Sequence, residues 1–191
     1  MKAILLGVAL LFFTACFDKK EEKKVESEQS EIQEIKTTKT EFNKLIKFPL
    51  KIYNSDELFD IKRISLDNKD IEISSNDKII IFNFFTTWCP PCKAEIPHLN
   101  NLALKYKDRV RIIGILLEEK SDEEIAKFIK DNEINYDIAV GDNNFTLLKV
   151  LGEINGIPYT ALFDQNGKNI NNYLGAFYEE MLDIDIQKVL K

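Results

Sequence analysis

Long apolar runs along the chain alternate with segments in which apolar residues recur every three or four positions. The continuous apolar runs at 78–85 and 110–117 predict strands that are buried on both faces of a sheet. The segments 93–107 and 121–129 have the spacing of amphipathic helices. Strands that alternate with helices predict an α/β fold with a mixed central sheet and helices on both faces.

Weaker patterns fill in the rest of this domain, which we expect to span 42–191. The segment 61–74 alternates around a turn and predicts a hairpin, and Asn166-Gly167 predicts a second one. Residues 182–190 predict a closing amphipathic helix. The segment 42–57 is apolar enough to pack on the domain, partly as a strand, but its pattern leaves its role open.

The first 41 residues have a different character. Residues 1–15 predict an export signal peptide, because Lys2 precedes an apolar run that ends in small residues. That run is about half of the ~20 residues needed to span a bilayer. Residues 18–41 are charged and of low complexity, so we interpret 16–41 as Cys16 followed by a disordered tether.

Length and charge exclude some classes of function. The 191 residues suit one domain with appendages. The formal net charge of −6, with no basic patch in the sequence, argues against a nucleic-acid partner.

The chemistry is concentrated in Trp88-Cys89-Pro90-Pro91-Cys92, where a predicted strand meets a predicted helix. A helix N-terminus favours the thiolate form of Cys89, which is the nucleophile in disulfide exchange. Pro91 suits the first helical turn. Because two residues separate the cysteines, Cys92 can attack a mixed disulfide on Cys89. The motif therefore predicts a redox pair in which Cys89 is the nucleophile and Cys92 the resolving thiol.

Two alternatives compete with this redox pair. A zinc site usually adds a second pair of ligands, and the other candidates of that kind are His98 and the distant Cys16. We therefore expect no metal and no cofactor besides the Cys89–Cys92 disulfide. A static structural disulfide is the second alternative, but so small a loop removes little chain entropy.

The string from Asn83 to Pro97, NFFTTWCPPCKAEIP, resembles the thioredoxin superfamily and, within it, the membrane-tethered TlpA/ResA branch. The resemblance covers roughly the C-terminal three-quarters of the chain. It implies a thioredoxin-like fold with an N-terminal β-hairpin. It also implies the activity of a protein-disulfide oxidoreductase.

The resemblance also implies roles for residues outside the cysteine pair. The Ile157–Pro158 bond is expected to be cis and to face the cysteines, so that Ile157 and Pro158 bind a substrate chain beside a surface platform at Trp88. Glu95 resembles an active-site acid that transfers protons or raises the pKa of the thiols; the alternative is a solvated charge. Asn83 occupies the place of a buried acid in classical thioredoxins; the alternative is a core asparagine with backbone partners.

The string Phe13-Thr14-Ala15-Cys16 resembles a bacterial lipobox, although Phe13 stands where leucine is usual. This implies lipid attachment at Cys16 and a membrane-anchored protein that faces the periplasm. The alternative is an ordinary secretory signal with a stray cysteine.

Many relatives in this branch reduce apocytochrome c or other extracytoplasmic proteins, and the resemblance implies that a membrane donor of the thioredoxin-reductase relay type supplies the electrons. We therefore expect a reductant of disulfide-bearing exported proteins, and Ile157 before Pro158 mildly favours that direction. The alternatives are a disulfide-forming oxidant or isomerase and a non-catalytic lipoprotein that serves as a binding module.

Overall fold

The computed structural model describes residues 47–63, 69–73, 77–152 and 154–191. The predicted signal peptide, Cys16 and the tether lie outside the described residues. The described strands are β1 (Lys47–Ile52), β2 (Leu58–Arg63), β3 (Ile71–Ile73), β4 (Ile79–Phe85), β5 (Val110–Leu116), β6 (Asp137–Val140), β7 (Tyr159–Phe163) and β8 (Asn169–Leu174). The described helices are α1 (Pro90–Lys105), α2 (Asp122–Asp131), α3 (Asn143–Val150) and α4 (Glu179–Val189).

The strands form one mixed sheet in the order β3-β2-β1-β6-β5-β4-β7-β8. Strands β4, β5 and β6 run parallel, and every other neighbouring pair is antiparallel. Strand β4 is buried along its whole length. This burial explains why its sequence is almost uninterruptedly apolar, since a strand covered on both faces has no polar side. The predicted mixed sheet is confirmed.

Successive side chains of β4 point to opposite faces of the sheet, as in any pleated strand. Ile80, Phe82 and Phe84 pack with residues of β1, β2, β3 and α3. Ile79 and Ile81 pack with residues of α1 and α4. The sheet therefore has helices on both faces, as the alternation of patterns predicts.

The segment whose role the sequence leaves open supplies an inner strand. Strand β1 pairs with β2 on one side and with β6 on the other. The β2–β3 pair is the predicted N-terminal hairpin, whose connection at 64–68 lies outside the described residues.

The two edges of the sheet touch each other. Ile71 in edge strand β3 donates its N–H to the carbonyl of Gly167, 2.9 Å away, in the turn between β7 and edge strand β8. The N–H of Asn169 donates to Asp70 Oδ1 at 2.8 Å. The N-terminal hairpin thus reaches across one face of the sheet to the opposite edge.

The strand order also brings two loops together at one end of the sheet. Strand β4 ends at Phe85, four residues before Cys89, and Phe84 pairs with Tyr159 at the start of β7. The loop after β4 and the loop before β7 therefore lie side by side. These loops carry the cysteine pair and Pro158.

Candidate active site

Cys89 and Cys92 form a disulfide at the N-terminus of α1. Cys89 is the N-cap residue, and its Sγ accepts a hydrogen bond from the N–H of Cys92 at 3.3 Å. Pro90 and Pro91 occupy the first helical positions, where a backbone N–H would have no partner inside the helix. An N–H aimed at Sγ and the positive end of the helix dipole both favour a thiolate at Cys89.

The disulfide is almost completely buried, whereas the neighbouring Trp88 is exposed to solvent. Cys89 is 3% and Cys92 2% exposed, whereas Trp88 is 68% exposed. The covering residues include Phe85 and Leu116 at the ends of two strands, together with Ile157. A partner must therefore approach the sulfur atoms over Trp88 and the loop that holds Ile157.

The Ile157–Pro158 peptide bond is cis in the structure, as the resemblance implies. Ile157 packs against the cluster that contains both cysteines. The carbonyl of Pro158 accepts a hydrogen bond from the N–H of Gly175 at 2.8 Å, which ties this loop to the end of β8. Within the described part of the chain, the backbone of Ile157 has no backbone partner, so it is available to pair with an extended peptide.

Glu95 lies one helical turn after Cys92 and is 1% exposed, so the alternative of a solvated charge is wrong. Its Oε1 accepts a hydrogen bond from Asn83 Nδ2 at 2.6 Å, and its Oε2 is buried without a partner. Burial raises the pKa of Glu95 to about 7, although the hydrogen bond from Asn83 acts in the opposite direction. Glu95 can therefore gain and lose a proton near neutral pH.

Asn83 is a core residue, but its side chain is not satisfied by the backbone as the alternative interpretation expects. Its Nδ2 donates to Glu95 Oε1 and to Thr160 Oγ1, the latter at 2.9 Å. Sequence reasoning missed Thr160, because only the register of β4 against β7 places it opposite Asn83.

Two further residues near the site were missed. The carboxylate of Glu118, just after β5, accepts a hydrogen bond from the N–H of Thr87 in the loop before Cys89. The pKa of Tyr136 is raised by its burial and by the nearby charge of Glu95. Glu118 could have been found, since residues that follow neighbouring parallel strands meet at one edge of a sheet.

His98 is not brought into this site. It lies on α1 with Nδ1 3.7 Å from a carboxylate oxygen of Glu179 in α4. Among the described residues, no group of three or more histidine, cysteine, aspartate or glutamate side chains could hold a metal ion.

A central mixed sheet, a cysteine pair at a helix N-terminus and a facing cis-proline loop define a thioredoxin-like protein. A family model described as thioredoxin-like matches residues 76–169. Solved structures of similar fold include StoA from Bacillus subtilis, with a TM-score of 0.56 and 24% identity over 73% of this chain and 96% of that one. A thiol:disulfide interchange protein of Chlorobium tepidum has a TM-score of 0.60 and 23% identity over 76% and 94%.

Comparison with curated relatives specifies which kind of thioredoxin-like protein this chain resembles. Thiol-disulfide oxidoreductase ResA of Bacillus thuringiensis subsp. konkukian is 32% identical over 126 residues, which cover 65% of this chain and 71% of that protein. Thiol:disulfide interchange protein DsbE of Pasteurella multocida is 33% identical over 145 residues, which cover 76% and 75%. The chain belongs to the thioredoxin-like family, among its ResA- and DsbE-type thiol-disulfide oxidoreductases. It is a protein-disulfide oxidoreductase, and disulfide-bearing proteins are its substrates.

Proposed function

We propose that this oxidoreductase works as a reductant of disulfides in exported proteins. The observation that carries the proposal is the Cys89–Cys92 pair at the N-terminus of α1, with the N–H of Cys92 aimed at Cys89 Sγ. This geometry favours the thiolate of the residue that must attack first.

The exchange proceeds in two displacements. The Cys89 thiolate attacks one sulfur of the client disulfide, forms a mixed disulfide and releases the other client sulfur as a thiolate. The Cys92 thiolate then attacks Cys89 Sγ, which releases the second client thiolate and forms the Cys89–Cys92 disulfide. Two electrons pass to the client. A dithiol of the membrane electron donor then reduces the Cys89–Cys92 disulfide by the same kind of exchange and becomes a disulfide itself.

Three residues around the pair bind the client in this proposal. An extended client segment pairs with the free backbone of Ile157 beside cis-Pro158, and the exposed ring of Trp88 supplies an apolar contact. Glu95, one turn after Cys92, exchanges protons with the thiols, which its position and its pKa of about 7 support.

The proposed location is outside the cytoplasm, on a membrane. Export by the signal at 1–15, lipid attachment at Cys16 and a tether at 16–41 rest on the sequence and its lipobox resemblance, because these residues lie outside those described. Where the structure describes the chain, no helix is long and apolar enough to cross a membrane. Apocytochrome c is the client class that the ResA-like resemblance favours.

An insulin-reduction assay with dithiothreitol as electron source tests the proposed chemistry. We expect the full chain to accelerate insulin reduction, Cys89→Ser to abolish the acceleration, and Cys92→Ser to accumulate a Cys89 mixed disulfide. Cys16→Ser is the matched control, since it removes the one cysteine outside the pair and should keep the activity. Equal rates for Cys89→Ser and the unmodified chain would defeat the proposal.

A further inference from the structure

We propose that Asn83 and Thr160 are positioning residues that together orient the carboxyl group of Glu95 and determine which of its oxygens carries the proton. This inference rests on the role proposed above for Glu95 in proton exchange with the thiols.

The three side chains form a closed buried group. Thr160, Asn83 and Gly114 are aligned in one row across β7, β4 and β5. Asn83 Nδ2 donates to Glu95 Oε1 at 2.6 Å and to Thr160 Oγ1 at 2.9 Å. Glu95, Asn83 and Thr160 are each at most 2% exposed, so water does not compete for these bonds.

This arrangement uses both hydrogens of the Asn83 amide. One points at Glu95 and the other at the hydroxyl oxygen of Thr160, so the Thr160 contact keeps the amide nitrogen turned toward Glu95. Glu95 Oε1 is therefore always the acceptor. In the neutral carboxyl group, the proton is carried by Oε2, the oxygen that is buried without a partner.

The other groups that face Glu95 give its charged form no support. On its own helix, Cys92 lies one turn before it. Tyr136, in the segment before β6, lies near enough to Glu95 for the carboxylate charge to contribute to raising the pKa of the tyrosine. Among the described residues, the hydrogen bond from Asn83 is the one interaction that favours the Glu95 carboxylate, and burial opposes it. Removing Asn83 should therefore drive the Glu95 titration to higher pH.

Nuclear magnetic resonance of the full, oxidised chain with ¹³C-labelled glutamate measures this titration directly, with no thiol titrating. We expect Asn83→Leu, which is similar in size but has no donor, to raise the Glu95 midpoint by about one to two pH units. Thr160→Val should raise it by less, because the amide remains but loses its second partner. An unchanged midpoint in Asn83→Leu would overturn the inference.

Asn144 supplies a matched control. It is also fully buried, and its Nδ2 also donates twice, to the carbonyls of Leu116 and Ala139 at 2.8 Å each. Asn144→Leu should therefore disturb the core to a similar degree without moving the Glu95 midpoint. An equal shift in Asn144→Leu would mean that any core disturbance moves Glu95, and would refute a positioning role.

The pH profile of Cys89 alkylation in the reduced chain separates this inference from the proposed function. We expect Asn83→Leu to move the profile in the direction of the Glu95 shift, and to have no effect in a Glu95→Gln background. A shifted Glu95 titration with an unchanged alkylation profile would uphold the positioning role and reject Glu95 as the proton-exchanging group.

Discussion

A single buried carboxyl group, Glu95, links the stability of this protein to pH. Its pKa is about 7 in the folded chain against 4.5 as an ordinary value, because burial disfavours its charge. Between these two pH values the folded chain binds more protons than the unfolded chain. The stabilisation linked to the neutral carboxyl group is therefore complete below pH 4.5 and is lost as pH rises through 7.

Replacing Glu95 by glutamine should remove this dependence. Glutamine can accept the Asn83 hydrogen bond but never ionises. From its shift, Glu95 should lower the free energy of unfolding by about 3 kcal/mol between pH 4.5 and 8. We expect that difference between the two oxidised proteins in urea unfolding across this range. Parallel pH curves for the unmodified chain and Glu95→Gln would contradict the assignment.

The sequence predicts where Glu95 lies but not what surrounds it. Its spacing from Cys92 follows from the helix alone. Whether the side of α1 that carries Glu95 lies in water or against the sheet depends on how the helix packs. In the structure, Glu95 is buried against Asn83 of the sheet. The solvated alternative is wrong for this reason.

At the scale of secondary structure, the residue pattern of α3 predicts that a helix forms but does not predict which of its faces is buried. The spacing of Phe145, Leu148 and Leu151 predicts the helix, but of these three only Leu151 is fully buried, and Phe145 is 39% exposed. The buried residues within the helix are Asn144, Leu147 and Val150. Asn144 is tolerated in the core because its amide donates to carbonyls of β5 and β6. The Leu116 carbonyl lies 28 residues away in sequence, so the local pattern cannot reveal this bond.

Gly167 decides whether the two edges of the sheet can touch. Its φ is +77°, and a Cβ there would lie 1.7 Å from the carbonyl oxygen of Ile71. We expect Gly167→Ala to lower the free energy of unfolding by about 2–5 kcal/mol, from left-handed backbone strain plus the overlap. Urea denaturation of the oxidised protein measures this loss.

Gly141→Ala is the control for the backbone term in that experiment. Gly141 has a φ of +95°, and a Cβ there would meet nothing within 4 Å. Gly141→Ala should therefore lower the free energy of unfolding only by the backbone strain, about 1–2 kcal/mol. Equal losses in the two variants would show that the contact between the edges contributes nothing.

At the scale of the whole molecule, the direction of electron flow is set by the reduction potential of the Cys89–Cys92 pair. A reductant should have a potential near that of thioredoxin, about −270 mV or slightly higher. Equilibration of the Cys16→Ser chain in glutathione buffers of varied ratio measures it without interference from the third cysteine. A value of about −120 mV would instead identify an oxidant, which would require a partner that re-oxidises the Cys89–Cys92 pair.

The fold class was largely predictable because its signals are local. The apolar runs predict β4 and β5, and the Ser121–Glu124 capping box predicts the start of α2; both features are confirmed. The place of β1 was not predictable, since an apolar segment can pair with either strand edge or pack as a cover. Its pairing with β6 depends on the whole sheet.

The sequence by itself determined the thioredoxin-like class, the cysteine pair and the position of Glu95 relative to it. The class follows from the family resemblance of residues 83–97. The cysteine pair and Glu95 lie within two turns of one predicted helix, where spacing acts directly. The tertiary structure alone decided the Asn83–Thr160 contact, the Glu118–Thr87 contact and the meeting of Ile71 with Gly167. Those contacts join segments distant along the chain, and only the order and register of the strands in the folded sheet bring such segments together.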